Sequence, residues 1–317
     1  MKVVDIIARA KHPLFTFEIL PPLKGHTLDG IFSTVEKLRE YEPAYINVTN
    51  HQQEVVYMDR PDGFVERRTV RKRPGTVALS AALQYRFDIP VVPHLICGGM
   101  NAEELENTLV ELNFLGLDNV FALRGDPPKG ERRFVACRGG WEHSDALVRQ
   151  VKALNRGSYL DPDLKDPVST DFCIGVAGYP EKHAEAPNFS IDIANLKKKI
   201  ESGADYIVTQ MFFINDHYYR FVQACREAGI SVPIVPGIKP FSRLSDLELI
   251  PQTFHIDLPD ALVDAVLHAS SPAEIRDIGV WWCTEQSKDL LAHGVPGIHY
   301  YTLGKAESVA KVVRAAF

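Results

Sequence analysis

Most of the features that assign a sequence quickly are missing here. The chain has five cysteines, Cys97, Cys137, Cys173, Cys225 and Cys283, which are widely spaced, odd in number and contain no CxxC pair. That argues against a disulfide framework or a thiolate zinc site and fits a reducing, cytoplasmic setting. No apolar run approaches the ~18 residues of a membrane helix. The opening MKVVDIIARAKHPLF carries charges where a signal peptide needs an apolar core. Excess positive charge is lacking: net charge is −6 and the pI near 6.0, so no global basic field invites nucleic acid. GxGxxG, GxxxxGK[ST], HExxH and GxSxG are all absent. No His/Asp/Glu spacing favours a metal. His94 and His299 fall on strand-like runs, where single histidines are commonly satisfied core residues.

What is present is an alternation. Eight short runs have strand character: FTFEIL (15–20), AYINVT (44–49), VVPHLIC (91–97), NVFALRG (119–125), FCIGVAGYP (172–180), YIVTQMFF (206–213), PIVPGI (233–238) and GIHYYTL (297–303). Helical periodicity lies between them. Ile31, Val35 and Leu38 share one stripe, as do Ile193, Leu196 and Ile200. NAEELENTLVELNFLG starts on an Asn cap and ends at Gly116. DHYYRFVQACREAG ends at Gly229, the stretch 259–293 reads as one or two helices, and the tail from Lys305 as another. No linker or repeat divides the chain. The expected fold is α/β, a single-domain (β/α)₈ TIM barrel over residues 1–317. An open doubly wound sheet with an appended helical domain gives a similar string. The barrel adds that functional residues gather at strand C-terminal ends. Glu18, Thr49, His94, Arg124 with Asp126, Tyr179 and Gln210 stand at such ends.

In FTFEILPP, side chains alternate, so Phe15, Phe17 and Ile19 share the helix-facing side and Glu18 points into the barrel near its top. Burial there favours the neutral acid and suits Glu18 to proton donation. A structural Glu paired with a lysine or arginine fits the same position. ALRGDPP (122–128) places Arg, Gly and Asp after an apolar strand. It reads as a turn with a local ion pair, or as a close approach of backbone to ligand. In the stretch 178–213, Tyr179 and His183 occupy a loop, while Asp192, Asn195 and Lys199 share a helix face beside Lys198. Such a face binds phosphates or is simply solvated.

Taken in order, FTFEILPP, PHLIC, ALRGDPP, GYPEKHAEA with its following D, N and KKK, TQMFF, PGIKP and HYYTL resemble the methylenetetrahydrofolate reductase family over about residues 15 to 305. The resemblance implies a (β/α)₈ barrel with FAD at its C-terminal mouth, NADH or NADPH as hydride donor, and 5,10-methylenetetrahydrofolate as acceptor in one-carbon metabolism. It implies that Glu18 is the general acid that opens the folate ring by protonating N10, and that Asp126 lies near the flavin and binds the pterin. Gln210 is implied to touch folate and nicotinamide, and Lys305 to stand near the folate glutamate tail. Thr49, His94, Arg124, Gly125, Asp126, Tyr179, His183, Asp192, Asn195, Lys198 and Lys199 align with FAD contacts, as do Ser144 and Ala186 through backbone or small side chains. No metal is implied. Relatives being dimers or tetramers, a homo-oligomer is expected.

Several stretches depart from the family pattern. NHQQE follows NVT where the family has an aromatic and a glycine-rich turn, which affects Asn50 and Gln52. The loop from Val55 to Thr76 is long, holds Arg60, Arg67, Arg68, Arg71, Lys72 and Arg73, and reads as a solvated excursion, a lid or a subunit contact. Lys198 and Lys305 stand where some relatives have Arg, and Asp246 and Ile250 replace a Gln and a Phe. The chain ends at Phe317, so the regulatory C-terminal domain of eukaryotic members, and S-adenosylmethionine inhibition with it, are not expected. A proline dehydrogenase-like flavin barrel and a non-catalytic folate- or flavin-binding subunit are the competing readings. TQMFF and PGIKP argue against the first, and Glu18, Asp126 and Gln210 against the second.

Overall fold

The computed structural model describes residues 1–128, 131, 133–302 and 306–317. The chain opens with helix α1 (Val3–Arg9), then strand β1 (Leu14–Ile19), α2 (Asp29–Arg39) and β2 (Ile46–Val48). A hairpin of β3 (Glu54–Asp59) and β4 (Val65–Val70) follows, then α3 (Val77–Phe87), β5 (Val91–Ile96), α4 (Ala102–Phe114), β6 (Asn119–Leu123) and α5 (Ser144–Leu154). Next come β7 (Cys173–Gly178), α6 (Phe189–Glu201), β8 (Tyr206–Thr209), α7 (Asn215–Glu227), β9 (Ile234–Val235) and β10 (Gly237–Ile238). The chain finishes with α8 (Asp246–Phe254), α9 (Asp260–Leu267), α10 (Pro272–Ala292), β11 (Gly297–Tyr301) and α11 (Ala306–Ala316). No helix among the described residues is long and apolar enough to cross a membrane.

The main sheet is parallel and runs β10-β11-β1-β2-β5-β6-β7-β8-β9. Its two end strands are halves of one segment, PIVPGI, interrupted at Pro236. β9 pairs with β8 and β10 with β11, so the chain passing through Pro236 closes the ring. Pro236 has no N–H to give a ladder, but its carbonyl still accepts from the His299 N–H at 2.9 Å. The barrel therefore has eight strand positions, each at one of the expected runs.

Alternation sorts the side chains of β1. Phe15, Phe17 and Ile19 pack with Val35 and Leu38 of α2 in the layer between barrel and helices. Thr16 and Glu18 face inward. Deeper in the barrel, Tyr45, Val92, Phe121, Cys173, Tyr206, Val208 and Val235 form a separate apolar plug. Gly175 makes room for it, since a Cβ there would lie 2.5 Å from both Phe121 and Tyr206. Helix α1 closes the lower end: Val3 joins the plug and its N–H donates to Asn119 Oδ1 at 2.8 Å. The open end is thus the C-terminal mouth.

The long basic stretch is structured rather than a plain loop. β3 and β4 pair antiparallel from Glu54↔Val70 to Asp59↔Val65 around a turn with Gly63 at φ +81°. Asp62-Gly63 is a hairpin signal between two β-branched runs. The hairpin is largely exposed; Arg60 pairs locally with Asp62 and Arg68 with Glu66, while Arg67 reaches Glu131.

Candidate active site

A cleft of about 530 Å³ opens at the mouth of the barrel. Glu18, at the end of β1, lies on its wall and is 8% exposed. Its Oε2 stands 3.9 Å from His299 Nε2 on the neighbouring strand, and His299 Nδ1 is 2.8 Å from Thr16 Oγ1. Glu18 is in register with Tyr301, whose hydroxyl donates to the Thr209 carbonyl at 2.6 Å. Burial, then the Glu18 charge, pushes the Tyr301 hydroxyl well above its ordinary range. Among the described residues no lysine or arginine forms an ion pair with Glu18.

His94, at the end of β5, stacks on Phe121 with centroids 4.8 Å apart, and its Nε2 lies 3.1 Å from Asn47 Nδ2. Burial, then the nearby His299 and His51, push it down to about 3. It is a neutral ring whose Nε2 accepts from the Asn47 amide. Beyond β6, Gly125 turns the chain at φ +86°, a conformation that favours glycine, and sets Asp126 exposed on the cleft wall. Beyond β8, Gln210 lines the cleft while its Oε1 accepts from the Met211 N–H at 2.8 Å.

A second lobe of about 330 Å³ adjoins the first and shares Arg124, Tyr179 and His183 with it. One face of α6 supplies Asp192, Asn195, Lys198 and Lys199. Lys199 Nζ donates to the Ala177 carbonyl at 2.9 Å and lies 5.7 Å from the Tyr179 ring centroid. Burial, then Arg124, lowers its ammonium to about 8 against the attraction of Asp192. Asp192 Oδ2 accepts the His183 N–H at 3.1 Å. Arg124 forms a two-pronged pair with Glu185, one contact being 3.0 Å. Ser144 begins α5, and its cap residue His143 makes no side-chain capping bond. Both line the lobe, as does Asp145 of the first turn, so the N-terminal end of α5 faces it.

All the described candidates meet at this mouth. Thr49, His94, Gly125 and Asp126 line the first lobe with Glu18 and Gln210; Ser144 and Ala186 line the second. Lys305 lies outside the described residues. Asn50 and Gln52 do line the first lobe despite the changed sequence after Thr49. Gln52 Nε2 is buried and, among the described residues, without a hydrogen-bond partner. Gly98 accommodates this side chain, since a Cβ there would sit 2.5 Å from Gln52 Oε1. Asp246 and Ile250 do not line either lobe. Asp246 is buried and bonded to Lys239, Ser242 and Arg243 at 3.2, 2.9 and 2.7 Å, while Ile250 packs in a side cluster. Phe254 of α8 reaches the cleft instead. Asn47 and Phe254 go unread in the sequence, and His299 reads only as a core histidine, because their places in the cleft depend on cross-strand or tertiary partners.

The fold and the site define a (β/α)₈ barrel with a two-lobed ligand cleft at its C-terminal mouth. The family model described as methylenetetrahydrofolate reductase matches residues 2–316, and the chain belongs to that family. "Methylenetetrahydrofolate reductase (NADH) 1" of Arabidopsis thaliana is 31% identical over 326 residues, 99% of this chain and 50% of the relative. The chain thus spans about half the length of that relative. "5,10-methylenetetrahydrofolate reductase" of Pectobacterium carotovorum is 30% identical, with 92% of this chain and 86% of the relative covered. A solved structure from Clostridium thermocellum, described as binding two copies of 5-methyl-5,6,7,8-tetrahydrofolic acid, superposes with a TM-score of 0.60 at 15% identity. It covers 98% of this chain and 96% of its own, and supports the fold.

Proposed function

We propose that this chain reduces 5,10-methylenetetrahydrofolate to 5-methyltetrahydrofolate, with FAD held at the barrel mouth and NADH or NADPH as the reductant. The observation that carries the reading is Glu18. In a member of this family it is a buried carboxyl on the cleft wall with no lysine or arginine paired to it among the described residues.

The residues present fit FAD. The adjoining lobes join an end that carries Lys198, Lys199, Arg124 and the α5 N-terminus, with Asp145, Glu185 and Asp192 beside them, to an end lined by polar strand termini. Bound FAD would supply a two-electron hydride acceptor and donor. Lys198, Lys199 and the α5 N–H groups would hold its diphosphate, while Arg124 would exchange part of its pairing with Glu185 for it. Asp192 and Asn195 offer hydrogen bonds to ribose hydroxyls. Gln52, with its orphaned Nε2, gains a partner from any polar ligand in the first lobe.

On the folate, Asp126 and Gln210 hold and orient the pterin. Glu18 gives its proton to N10, which breaks the C–N10 bond and leaves a cationic one-carbon unit at N5 able to accept hydride. Hydride plus that proton balances the conversion. His299 stands 3.9 Å from the Glu18 carboxyl on the neighbouring strand. The test is spectroscopic. The purified protein is expected to be yellow, to release FAD on heating, to bleach anaerobically with NADH or NADPH, and to regain colour on adding methylenetetrahydrofolate. A colourless protein that FAD does not reconstitute would refute the reading.

A further inference from the structure

We propose that Glu181, His217 and Asp257 form a site for one divalent first-row transition ion on the rim of the barrel. The three come from separate places: the turn after β7, the first turn of α7, and the connection between α8 and α9. One ligand atom from each, an imidazole nitrogen and two carboxylate oxygens, lies within 4.8 Å of the others.

The state of two of these atoms points to a missing third party. The Glu181 side chain is only 7% exposed. Its Oε2 accepts the Asp257 N–H at 2.6 Å, which fixes the carboxylate against the α8–α9 connection. The other oxygen, Oε1, stands 3.2 Å from His217 Nδ1. Both atoms are buried; they form an ion pair only if His217 is protonated, and among the described residues neither has a hydrogen-bond partner of good geometry. A buried carboxylate oxygen without a donor is costly. Two lone-pair-bearing atoms that are close but not aimed at one another are satisfied together by a cation between them. The exposed Asp257 carboxylate completes the third side.

The donor set chooses the ion. One imidazole and two carboxylates suit Zn²⁺ or a neighbouring transition ion, with water completing the sphere. Mg²⁺ and Ca²⁺ prefer all-oxygen sets with more ligands. None of the three residues lines either lobe of the mouth, so the ion acts as a staple rather than a reagent. It would tie the turn that follows Tyr179 to the segment that follows Phe254, and both of those side chains line the mouth cleft. This inference stands whether or not the proposed reaction is correct.

The test is titration of the chelator-stripped full chain with ZnCl₂ by calorimetry, with MgCl₂ alongside, and thermal unfolding with and without Zn²⁺. One saturable site per chain is expected for Zn²⁺, none of comparable affinity for Mg²⁺, and a raised Tm with Zn²⁺. Asp257→Asn keeps the backbone N–H that Glu181 uses and changes an exposed side chain, so its fold should be intact. It and His217→Ala should each weaken Zn²⁺ binding roughly tenfold or more and abolish the rise in Tm. No saturable site, or equal affinity in both variants because other histidines bind the metal, would overturn the proposal and leave Glu181 and His217 as an ion pair only.

Discussion

Glu18 is a buried carboxyl on the cleft wall at the end of β1. His299 and Tyr301 flank it from the next strand, and among the described residues no lysine or arginine is paired with it. Glu18→Gln keeps the volume and the buried polar character but removes the transferable proton. Reduction of the protein by NADH moves no proton to a leaving nitrogen, so that half-reaction should stay within a few-fold of wild type. Folate reduction should fall roughly 10²–10⁴-fold, the usual loss with a general acid. Stopped-flow measurement of the two half-reactions separates this from a structural role, which would damage both together. His94 makes a second prediction at the same scale. Its folded-state value of about 3 lies below the roughly 6.5 of an exposed histidine. The unfolded chain therefore takes up its proton first as pH falls. The stability contribution is complete above about pH 6.5 and is lost between there and about pH 3, by up to about 1.4 kcal/mol per pH unit. Urea unfolding across that range should show the slope, and His94→Gln should flatten it. An unchanged slope in the variant would rule out His94 as its source.

Helix α6 concentrates the charge of the second lobe on one face, and its most enclosed cation is also its most titratable. Burial holds the Lys199 ammonium at about 8. Protonated Lys199 is therefore plentiful at pH 7 and lost as pH rises through 8. Affinity of the apoprotein for FAD should fall between pH 7 and 9.5, and Lys199→Gln should bind more weakly at pH 7 with a flatter profile. Fluorescence titration of FAD reads this, and a pH-independent affinity in wild type would reject the role. The same helix shows why much of the site is legible in sequence. Asp192, Asn195 and Lys199 are three and four residues apart, so helical spacing alone places them together. Strand ends are legible for a like reason, because barrel geometry gathers Glu18, His94, Asp126 and Gln210 at one mouth once eight runs are recognised. What sequence does not show is what distance in the chain conceals. The Asn47–His94 and Thr16–His299 contacts join different strands, and Glu181, His217 and Asp257 meet only through the packing of three rim segments. The β3–β4 hairpin is a different case. Its Asp62-Gly63 turn signal is local, but the density of arginine around it reads as solvated loop.

At the scale of the molecule, the barrel has one open end. The lower end is filled by the plug around Tyr45, Phe121 and Tyr206 and is closed by α1. Every candidate described here, from Glu18 to Lys199, opens on the mouth. Glu18, Asp126 and Gln210 all belong to the first lobe, which is about 530 Å³. Under the proposed function, Glu18, Asp126 and Gln210 serve both substrates from this one lobe, beside a bound flavin ring. Nicotinamide and folate would then have to use the same place in turn. Initial rates should follow ping-pong kinetics, with parallel lines in double-reciprocal plots as one substrate is varied at fixed levels of the other. Each substrate at high concentration should inhibit competitively against the other, because each can occupy the lobe in the wrong half of the cycle. Gln210, proposed to contact either molecule, gives the sharper check. Gln210→Ala should raise KM for both substrates, whereas Asp126→Asn should slow the folate half-reaction more than reduction by NADH. Intersecting lines would mean that both substrates bind at once, and a single shared lobe could not then be the arrangement this barrel uses.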